Sequence, residues 1–498
     1  MAVAEAVERT YGNWRRPRPP GLWHLGLISS VLLFGGLIAA ILAIALIGVV
    51  VGLVLLALMT PVFLVTLRPD PHGQTPLQRA GATVGWRRAQ VGGAYLYRSG
   101  PLGRTPYGTF QLPGLLAASQ LSEALDVLER PFAVLVHPAA QHLTVVLETE
   151  PDGAALVDQS QVDQWVALYA DWMAALALQP GLVTCQVSLE SAPDPGTRLR
   201  HAVASRQDPR APALARDTLA EIVRTYPAGA ADLKARIALT FALGAEGRVK
   251  TAGVMADELR TRLGVLTQRL HATGAGVAAP VDAQRLCEIV HAAYNPRAAE
   301  LLEQARTSGR PAPLRWEDIG PAAADARAES YWHDGAVSVT WAMTQAPRGE
   351  VRENVLARLI APHNDIARKR VTMLYRILDP GQAAQIVERD LHNAEFRVNT
   401  VSRPTARAIH EQVAAVATAK EEARGAALVN FGMLVTATVL EETQLPAARS
   451  AISNLAPTAR IALRPVWGSQ DSAFAAALPV GLFLPAHLKV PEAVRTAL

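Results

Sequence analysis

The hydrophobic pattern begins with a long run that contains no Asp, Glu, Lys or Arg. The run covers residues 22–67, a stretch of 46 residues. A helix rises about 1.5 Å per residue and a bilayer core is about 30 Å thick, so one helix of this length would be more than twice too long. The run therefore predicts two membrane-spanning helices. We place the turn between them at Gly48 or within residues 40–46, because a tight turn needs small residues.

A secretory signal peptide is the competing interpretation, but its apolar core is much shorter and ends in a small-residue cleavage site. Basic residues near the ends of membrane spans stay on the cytoplasmic side. Arginines flank the run on both sides: Arg9, Arg15, Arg16 and Arg18 before it, and Arg68, Arg79, Arg87 and Arg88 after it. We therefore expect a plasma-membrane protein with two spans, and with both termini and residues 68–498 in the cytoplasm.

After the apolar run, the pattern alternates between strands and amphipathic helices. Strand-like segments occur at residues 90–97, 132–136 and 143–148, and a helix is predicted over residues 160–178. In this helix an apolar stripe recurs at the spacing of one face: Trp165, Tyr169, Trp172 and Leu176. Such a stripe is typical of a helix packed on a sheet, although a partner-binding surface would have the same spacing.

The pattern predicts an α/β or α+β fold, in which a two-helix transmembrane hairpin precedes cytoplasmic ferredoxin-like layers with mixed or antiparallel sheets. Changes in composition suggest the following division: a basic N-terminus (1–21), the hairpin (22–67), a first α/β domain (68–205), a second α/β unit (206–297), a connecting segment (298–330) and a C-terminal α/β domain (331–498).

Composition narrows the possible functions. Cys185 and Cys287 are the only cysteines and have no CxxC partner, which favours buried structural thiols over disulfides or a zinc ribbon. The formal net charge of +4 is small for 498 residues, and no long basic run occurs. The sequence therefore predicts no direct contact with nucleic acid.

The C-terminal part carries a resemblance to a known family. The segment EEARGAALVNFGMLVTATV, then a helix, then LRPVWGSQDSAFAAALPVG resembles the region just before the motor domain of VirB-type traffic ATPases, which serve type IV secretion and conjugation. It covers about residues 336–484. In that family the domain ends in a Gln-containing segment, a phenylalanine and a Leu-Pro-Gly-like element. The matching positions are candidates for partner docking: Gln470, Phe474, Leu478, Pro479 and Gly481.

The chain lacks the sequence of a motor domain. A phosphate-binding loop ends in Gly-Lys-Ser/Thr, but none of the five lysines follows a glycine, and the nearest match is Val249-Lys250-Thr251. The resemblance therefore implies a relative of the non-motor, amino-terminal part of these ATPases. Two spans followed by a cytoplasmic α/β domain are also the plan of EccE-like proteins of type VII secretion and of two-span proteins of actinobacterial conjugation clusters.

Other chemistry is weak in the sequence. The histidines are scattered, and His137, His291 and His410 are expected to be structural or on the surface. Residues 316–318 (Trp-Glu-Asp) and 331–334 (Tyr-Trp-His-Asp) are the best alternative, a hydrolase site. Glu421 and Glu422 are expected on a helix surface beside lysine and arginine. No metal or cofactor is predicted.

These observations predict a non-enzymatic, membrane-anchored scaffold of a bacterial conjugation or protein secretion system, which holds a cytoplasmic ATPase at the membrane. The expected partners are a separate P-loop ATPase, other subunits of the machine and the lipid bilayer, with the chain oligomeric in the complex. The alternatives are an EccE-like component of a type VII complex and a membrane-associated hydrolase.

Overall fold

A computed structural model describes residues 9–488 of the chain, apart from residues 13, 15–26, 67–75, 102, 154–155, 195, 226–230, 246–247 and 348. The chain forms two compact units: residues 1–13 with 95–483, and residues 14–94 with 484–498. Several of the flanking arginines used to predict orientation lie outside the described residues, namely Arg15, Arg16, Arg18 and Arg68.

The described part of the smaller unit contains three α-helices, α1 (Leu27–Leu46), α2 (Val49–Thr66) and α3 (Pro76–Val91). The turn between α1 and α2 lies at Ile47 and Gly48, and Gly48 has a φ of 136°, which favours glycine. The two helices pack closely on each other, because a Cβ added at Gly52 would clash with the side chain of Ile44. The turn predicted at Gly48 is thus confirmed.

Over the described residues, no helix combines the length and the apolar content that membrane crossing requires. This finding contradicts the predicted transmembrane hairpin at residues 22–67 and the plasma-membrane location derived from it. An uncharged run predicts apolar helices, but it does not by itself establish that either helix crosses a membrane.

The larger unit is built on β-strands. In chain order they are β1 (Leu96–Arg98), β2 (Gln120–Leu125), β3 (Pro131–His137), β4 (His142–Thr149), β5 (Leu182–Pro193), β6 (Ala231–Ala242), β7 (Gly244–Ala245), β8 (Arg248–Val249), β9 (Ala278–Pro280), β10 (Ala323–Ala326), β11 (Tyr331–His333), β12 (Ala336–Gln345), β13 (Arg368–Ile377), β14 (Val429–Val439) and β15 (Ala462–Pro465).

Helices connect these strands. They are α4 (Gln159–Ala177), α5 (Thr197–Arg206), α6 (Ala213–Thr225), α7 (Ala252–Leu270), α8 (Ala283–Tyr294), α9 (Ala299–Thr307), α10 (Ala357–Ile360), α11 (Pro380–Asn399), α12 (Ala406–Glu422), α13 (Leu445–Thr458) and α14 (Gln470–Ala477). Several begin at a side chain that accepts a backbone N–H of the first turn, as Thr251, Asp282 and Thr405 do.

Among the described residues, thirteen strands form one sheet in the order β1-β10-β11-β12-β14-β13-β5-β6-β4-β3-β2, with β15 paired to β12 and β9 paired to β4. Each pair of neighbouring strands is antiparallel. Strands β7 and β8 form a separate ribbon. The sheet therefore continues through segments that the sequence pattern assigned to separate layers.

The two halves of this sheet repeat one topology. The first half runs β2, β3, β4, α4, β5, α5, α6, β6, α7, β9, α8, and the second runs β10, β11, β12, α10, β13, α11, α12, β14, α13, β15, α14. Their spatial orders, β2-β3-β4-β6-β5 and β10-β11-β12-β14-β13, also correspond. The halves meet where β5 pairs with β13, in a register that places Ser188 opposite Thr372. A pseudo-two-fold axis therefore passes between these two strands.

The same short motif ends the two central strands. Each is followed by Asp-Pro-Gly, at residues 194–196 and 379–381. The Oδ1 atom of Asp194 accepts a hydrogen bond from the N–H of Gly196 at 2.8 Å, and Oδ1 of Asp379 accepts one from Gly381 at the same distance. Both turns start the helical insertion that leads to the next strand, which supports the correspondence of the halves.

A pair of hydroxyl groups also recurs. Thr144 of β4 contacts Thr240 of β6 at 2.9 Å between Oγ1 atoms. In the second half, Ser338 of β12 contacts Thr438 of β14 at 2.7 Å. Both are directly opposed residues of the corresponding strand pair. The repeat therefore extends from strand order to individual polar contacts.

Helices cover both faces of the sheet. On one face α4 and α7 pack on the first half, around Val145, Trp172 and Leu263, while α10 and α13 cover the second half, around Val339 and Ile452. On the opposite face α8 and α14 share one core with residues of both halves. This arrangement follows from strand alternation, since successive side chains point to opposite faces.

Several predicted elements are confirmed, since β3, β4 and α4 match the segments predicted at residues 132–136, 143–148 and 160–178. Trp172 and Leu176 of the apolar stripe are buried in the core. The strand predicted at residues 90–97 is wrong, because α3 continues to Val91 and only β1 is extended. The ferredoxin-like layers are also wrong, because a strand-helix-strand order does not specify which strands pair.

Candidate functional site

All five residues predicted to dock a partner are buried in the larger unit. Gln470 begins α14, where its Oε1 accepts from the N–H of Thr340 at 2.8 Å and its Nε2 donates to the carbonyls of Thr340 and Val466. Phe474 is 1% exposed. Their contacts lie within this chain, so a partner could bind these side chains directly only if they left the core. The docking role stays a prediction.

Residues 476–482, which we name the strap, cross the polar face of the central strands. Gln186 of β5 holds the strap on both sides: its Nε2 donates to the carbonyl of Leu478 at 2.6 Å, and its Oε1 accepts from the N–H of Gly481 at 3.1 Å. Thr372 donates to the carbonyl of Ala477 at 2.8 Å. The sheet thus binds the strap through its main chain, which satisfies backbone groups that are buried outside regular structure.

Gly481 fits the strap for two reasons. Its φ of 64° lies in the left-handed region, and Thr240 donates to its carbonyl at 2.9 Å. A Cβ at this position would clash with Oγ1 of Thr240 and lie 2.5 Å from Oγ1 of Thr144. The Leu-Pro-Val-Gly sequence therefore has a structural role in this chain: it closes the polar face of the sheet.

In each half of the sheet, a histidine contacts the C-terminal part of the other half. His137, the last residue of β3, donates from Nε2 to the carbonyl of Val480 in the strap at 2.8 Å. His333, the last residue of β11, donates from Nδ1 to the carbonyl of Tyr294, the last residue of α8, at 2.6 Å. The two histidines occupy corresponding positions in the two halves, so the closure is reciprocal across the pseudo-two-fold axis.

Among the described histidines, His333 most resembles a catalytic residue. Its Nε2 accepts from Ser338 at 2.8 Å, and Ser338 in turn contacts Thr438. Burial lowers the pKa of His333 to about 4, so its ring is neutral at pH 7. Tyr294, Tyr331 and Phe474 pack around the ring. His333 and Ser338 are 1% and 0% exposed, which closes this pair to substrate in the described conformation.

The acidic residues of the alternative hydrolase site bind separate main-chain segments. Asp334 occupies the β11–β12 turn and accepts from the N–H of Ala322 at 2.8 Å, and Asp318 accepts from the N–H of Phe110 at 3.3 Å. Nε1 of Trp316 donates to Ser119. These contacts account for the residues structurally.

Both cysteines are buried and free, and burial raises the pKa of Cys287 to about 12. His291 contacts the carbonyl of Ile319, while His410 is exposed on α12. Within the described part of the chain, no group of three or more His, Cys, Asp or Glu residues is placed to hold a metal ion.

A network of ion pairs lies on the same face as the strap. Glu190 of β5 binds Arg370 and Arg368 of β13, with 2.9 Å between Nε of Arg370 and Oε2 of Glu190. Burial alone would raise the pKa of Glu190, but Arg368, Arg370 and Arg236 outweigh it and hold that pKa well below its ordinary value. The network continues through Arg236, Glu148, Arg285, Glu288 and Arg306. Glu190, Arg368 and Arg370 are charged residues within strands, which is the only trace of this network in the sequence.

Lys369 points to the opposite face and is 1% exposed. Its Nζ donates to the carbonyl of Ala361, and burial lowers its pKa to about 8. Such a lysine resembles a catalytic amine, but its one described hydrogen bond anchors the segment that follows α10. Its role in the described structure is therefore to hold that segment.

Helices α11 and α12 form a hairpin that we name the arm. Its base joins the sheet through the N–H of Leu378 and the carbonyl of Leu428, 3.1 Å apart, so residues 400–405 form its distal turn. The helices pack through small side chains and through an ion pair of Arg397 and Glu411 at 3.0 Å. The 20 residues of α11 give the arm a length of about 30 Å.

Large apolar side chains are exposed near the distal end of the arm: Phe396 (63%), Val401 (53%), Ile409 (45%) and Val413 (61%). Ile409 and Val413 are four residues apart and share one face of α12. Arg407 of the same helix has a side chain that is 90% exposed. Sequence periodicity does not indicate which apolar residues of a helix stay uncovered.

Comparison with known proteins adds one match. A family model described as a domain of unknown function (DUF8461) matches residues 18–78. These residues contain α1 and α2 and precede the sheet. No curated protein matches the chain. The resemblances to traffic ATPases and to EccE-like proteins therefore stay predictions.

Proposed function

We propose that this chain is a non-enzymatic docking component of a bacterial conjugation or secretion machine and binds a separate P-loop ATPase. The partner class comes from the resemblance of residues 336–484 to the non-motor domain of traffic ATPases. The observation that carries the docking role is the arm, a long helical hairpin with uncovered apolar side chains near its distal end.

The chemistry of the arm defines the surface that it fits. Exposed apolar patches rimmed by polar residues are typical of protein-binding surfaces. Arg403 and Arg407 flank the patch formed with Ile409 and Val413 and are exposed. The complementary surface is an apolar groove with an acidic rim, into which a helix can lay its i, i+4 residues.

The pairing of buried polar groups supports a structural role for the interior of the larger unit. The residues that most resemble catalytic groups, His333, Ser338 and Lys369, each hold a neighbouring part of the chain. Glu190 likewise joins β5 to β13. Buried polar groups that are satisfied in this way stabilise one arrangement of the fold. A rigid body with one extended arm suits a scaffold.

The test is binding of the purified full chain to a P-loop traffic ATPase from the same organism, measured by calorimetry. In the test variant, Ile409→Glu is combined with Val413→Glu, and Leu301→Glu is the matched control because Leu301 is 66% exposed on α9. We expect the arm variant to lose at least about tenfold in affinity, since both changes place charge in an apolar interface. The control should bind as the unmodified chain does.

Equal binding by the arm variant and the control would refute the arm as the docking surface. If the unmodified chain binds no ATPase of this class, the proposed function itself is wrong. Circular dichroism of each variant shows whether the arm remains helical.

A further inference from the structure

Strand β2 forms one edge of the sheet, and within the described part of the chain it pairs only with β3. In the turn after β2, the N–H of Asp126 donates to the carbonyl of Arg130 at 3.0 Å. Hydrogen-bonded pairs alternate along an antiparallel ladder, so every second residue of β2 directs its main-chain groups away from β3. These outward-facing residues are Leu121, Glu123 and Leu125. In agreement, Ala133, which lies opposite Glu123, donates its N–H to the carbonyl of Val281 at 2.7 Å and not to β2.

The other half of the sheet shows how this edge can be covered. There β10 corresponds to β2, and β1 pairs with it as an additional antiparallel strand. Leu121 and Ala326 are corresponding positions, since each lies two strands away, in register, from a member of the recurring hydroxyl pairs. Both pack against the core that α8 and α14 share. The N–H of Ala326 donates to the carbonyl of Tyr95 at 2.8 Å, next to β1. The described first half has no strand equivalent to β1 on the edge of β2.

The side chains of the outward-facing residues lie on one face of β2, in the order apolar, acidic, apolar. Leu125 is 51% exposed and Glu123 is also exposed. The carboxylate of Glu123 accepts a hydrogen bond at 3.0 Å from the N–H of Ala283, the first residue of α8, which holds it beside the edge. Residues that are directly opposed in an antiparallel pair contact each other on the same face. An added strand would therefore place one residue opposite a carboxylate and two residues opposite leucines.

Glu123 distinguishes between two kinds of added strand. A second copy of this chain could pair with β2 about a two-fold axis, but the register that uses all three outward-facing residues would oppose the two Glu123 carboxylates. Like charges that are directly opposed destabilise a strand pair, and charges on edge strands limit self-association in natural proteins. A lysine or arginine at the same place would be attracted. The edge therefore favours a basic strand from another protein over a second copy.

We propose that β2 binds an extended segment of a partner protein as an additional antiparallel strand. The segment has a lysine or arginine opposite Glu123 and apolar residues opposite Leu121 and Leu125. In this mode of recognition, main-chain hydrogen bonds supply affinity and alternate side chains supply specificity. The site shares no residue with the arm, so it does not depend on the proposed function.

Fluorescence anisotropy on the full chain tests the proposal with two labelled peptides, Thr-Leu-Thr-Lys-Thr-Leu-Thr and the same peptide with glutamate in place of lysine. The lysine peptide should bind about fivefold more tightly or better. Glu123→Lys should reverse this preference. Glu129→Lys is the matched control, because it makes the same change of charge at an exposed position in the turn beyond β2, and it should keep the preference. Absence of binding of the lysine peptide to the unmodified chain, equal affinity for the two peptides, or a preference that Glu123→Lys leaves unchanged would overturn the proposal.

A further variant tests the main chain of the edge. Leu125→Pro removes an outward-facing N–H and none of the hydrogen bonds to β3, and proline is tolerated at such edge positions. It should abolish binding of the lysine peptide. In the unmodified chain, the same peptide should slow hydrogen exchange at the N–H groups of Leu121 and Glu123, and binding without this protection would contradict strand addition. A dimer of the unmodified chain that Leu125→Pro dissociates, detected by sedimentation, would assign the edge to a second copy and would also overturn the proposal.

Discussion

Replacing Gly481 by alanine tests whether the strap is a fixed part of the fold. The change has two costs in this structure. A non-glycine residue at a φ of 64° costs about 1–2 kcal/mol. The added Cβ also meets Oγ1 of Thr240 and Oγ1 of Thr144, and an overfilled core costs about 1–3 kcal/mol. We expect Gly481→Ala to lower the free energy of unfolding by about 2–5 kcal/mol.

Gly335 provides a matched control for the backbone term. It has a φ of 77°, and a Cβ added there meets no atom within 4 Å. Gly335→Ala should therefore cost only the conformational part, about 1–2 kcal/mol. The difference between the two variants isolates the steric part at the strap.

Urea denaturation followed by tryptophan fluorescence measures both variants, since Trp172 and Trp341 are buried on the sheet. If Gly481→Ala destabilises the protein no more than Gly335→Ala, the close packing of the strap is refuted. A background with Thr144→Ala and Thr240→Ala removes the clashing atoms. In that background Gly481→Ala should cost about as little as the control, because coupled residues give non-additive energies.

Three further variants test buried polar groups. Burial would raise the pKa of Glu148, but Arg236 and Arg285 hold it at about 2. The stability gained is therefore present above the unfolded pKa of about 4.5 and is lost as the pH falls towards 2. Glu148→Gln should therefore make stability less dependent on acid pH, measured by circular dichroism, and should cost up to about 3 kcal/mol at pH 7. The pKa of Lys369 is lowered to about 8, so stability should rise from pH 8 to about 10.5, and Lys369→Met should abolish that rise in urea titrations at each pH. Gln470→Ala leaves buried backbone groups unpaired and should lower the urea midpoint by the equivalent of about 1–3 kcal/mol.

The sequence predicted elements whose signal is local. The β-branched residues of LTVVLE predicted β4, and the spacing of Trp172 and Leu176 predicted a packed helix, which is α4. Pairing between distant strands has no such local signal. Glu190 and Arg370 are opposed across β5 and β13, yet they are 180 residues apart in the chain. The single sheet therefore could not be derived from the order of elements.

The candidate sites show the same limit. Gln470 and Phe474 were singled out through a resemblance, but burial depends on which strands α14 covers.

The pseudo-two-fold repeat separates what the fold requires from what this chain adds. Around the axis at Ser188 and Thr372, the register places Glu190 opposite Arg370 on one side and Gln186 opposite Leu374 on the other. The two sides of the axis therefore differ. One side carries the ion pair of Glu190 and Arg370, and the other carries Gln186, which binds the strap. Features shared by both halves, such as the hydroxyl pairs, support the sheet itself, because they recur wherever the same strands meet.

Features present in one half need another explanation. The insertion between β5 and β6 contains helices of 10 and 13 residues, whereas the insertion between β13 and β14 contains helices of 20 and 17 residues. The first half forms its part of the sheet with the shorter insertion, so the sheet does not require the longer insertion for folding. The added length places exposed apolar side chains far from the base of the arm. Packing within the same half of the sheet does not account for them. This asymmetry supports assigning the arm to partner binding and the common core to stability.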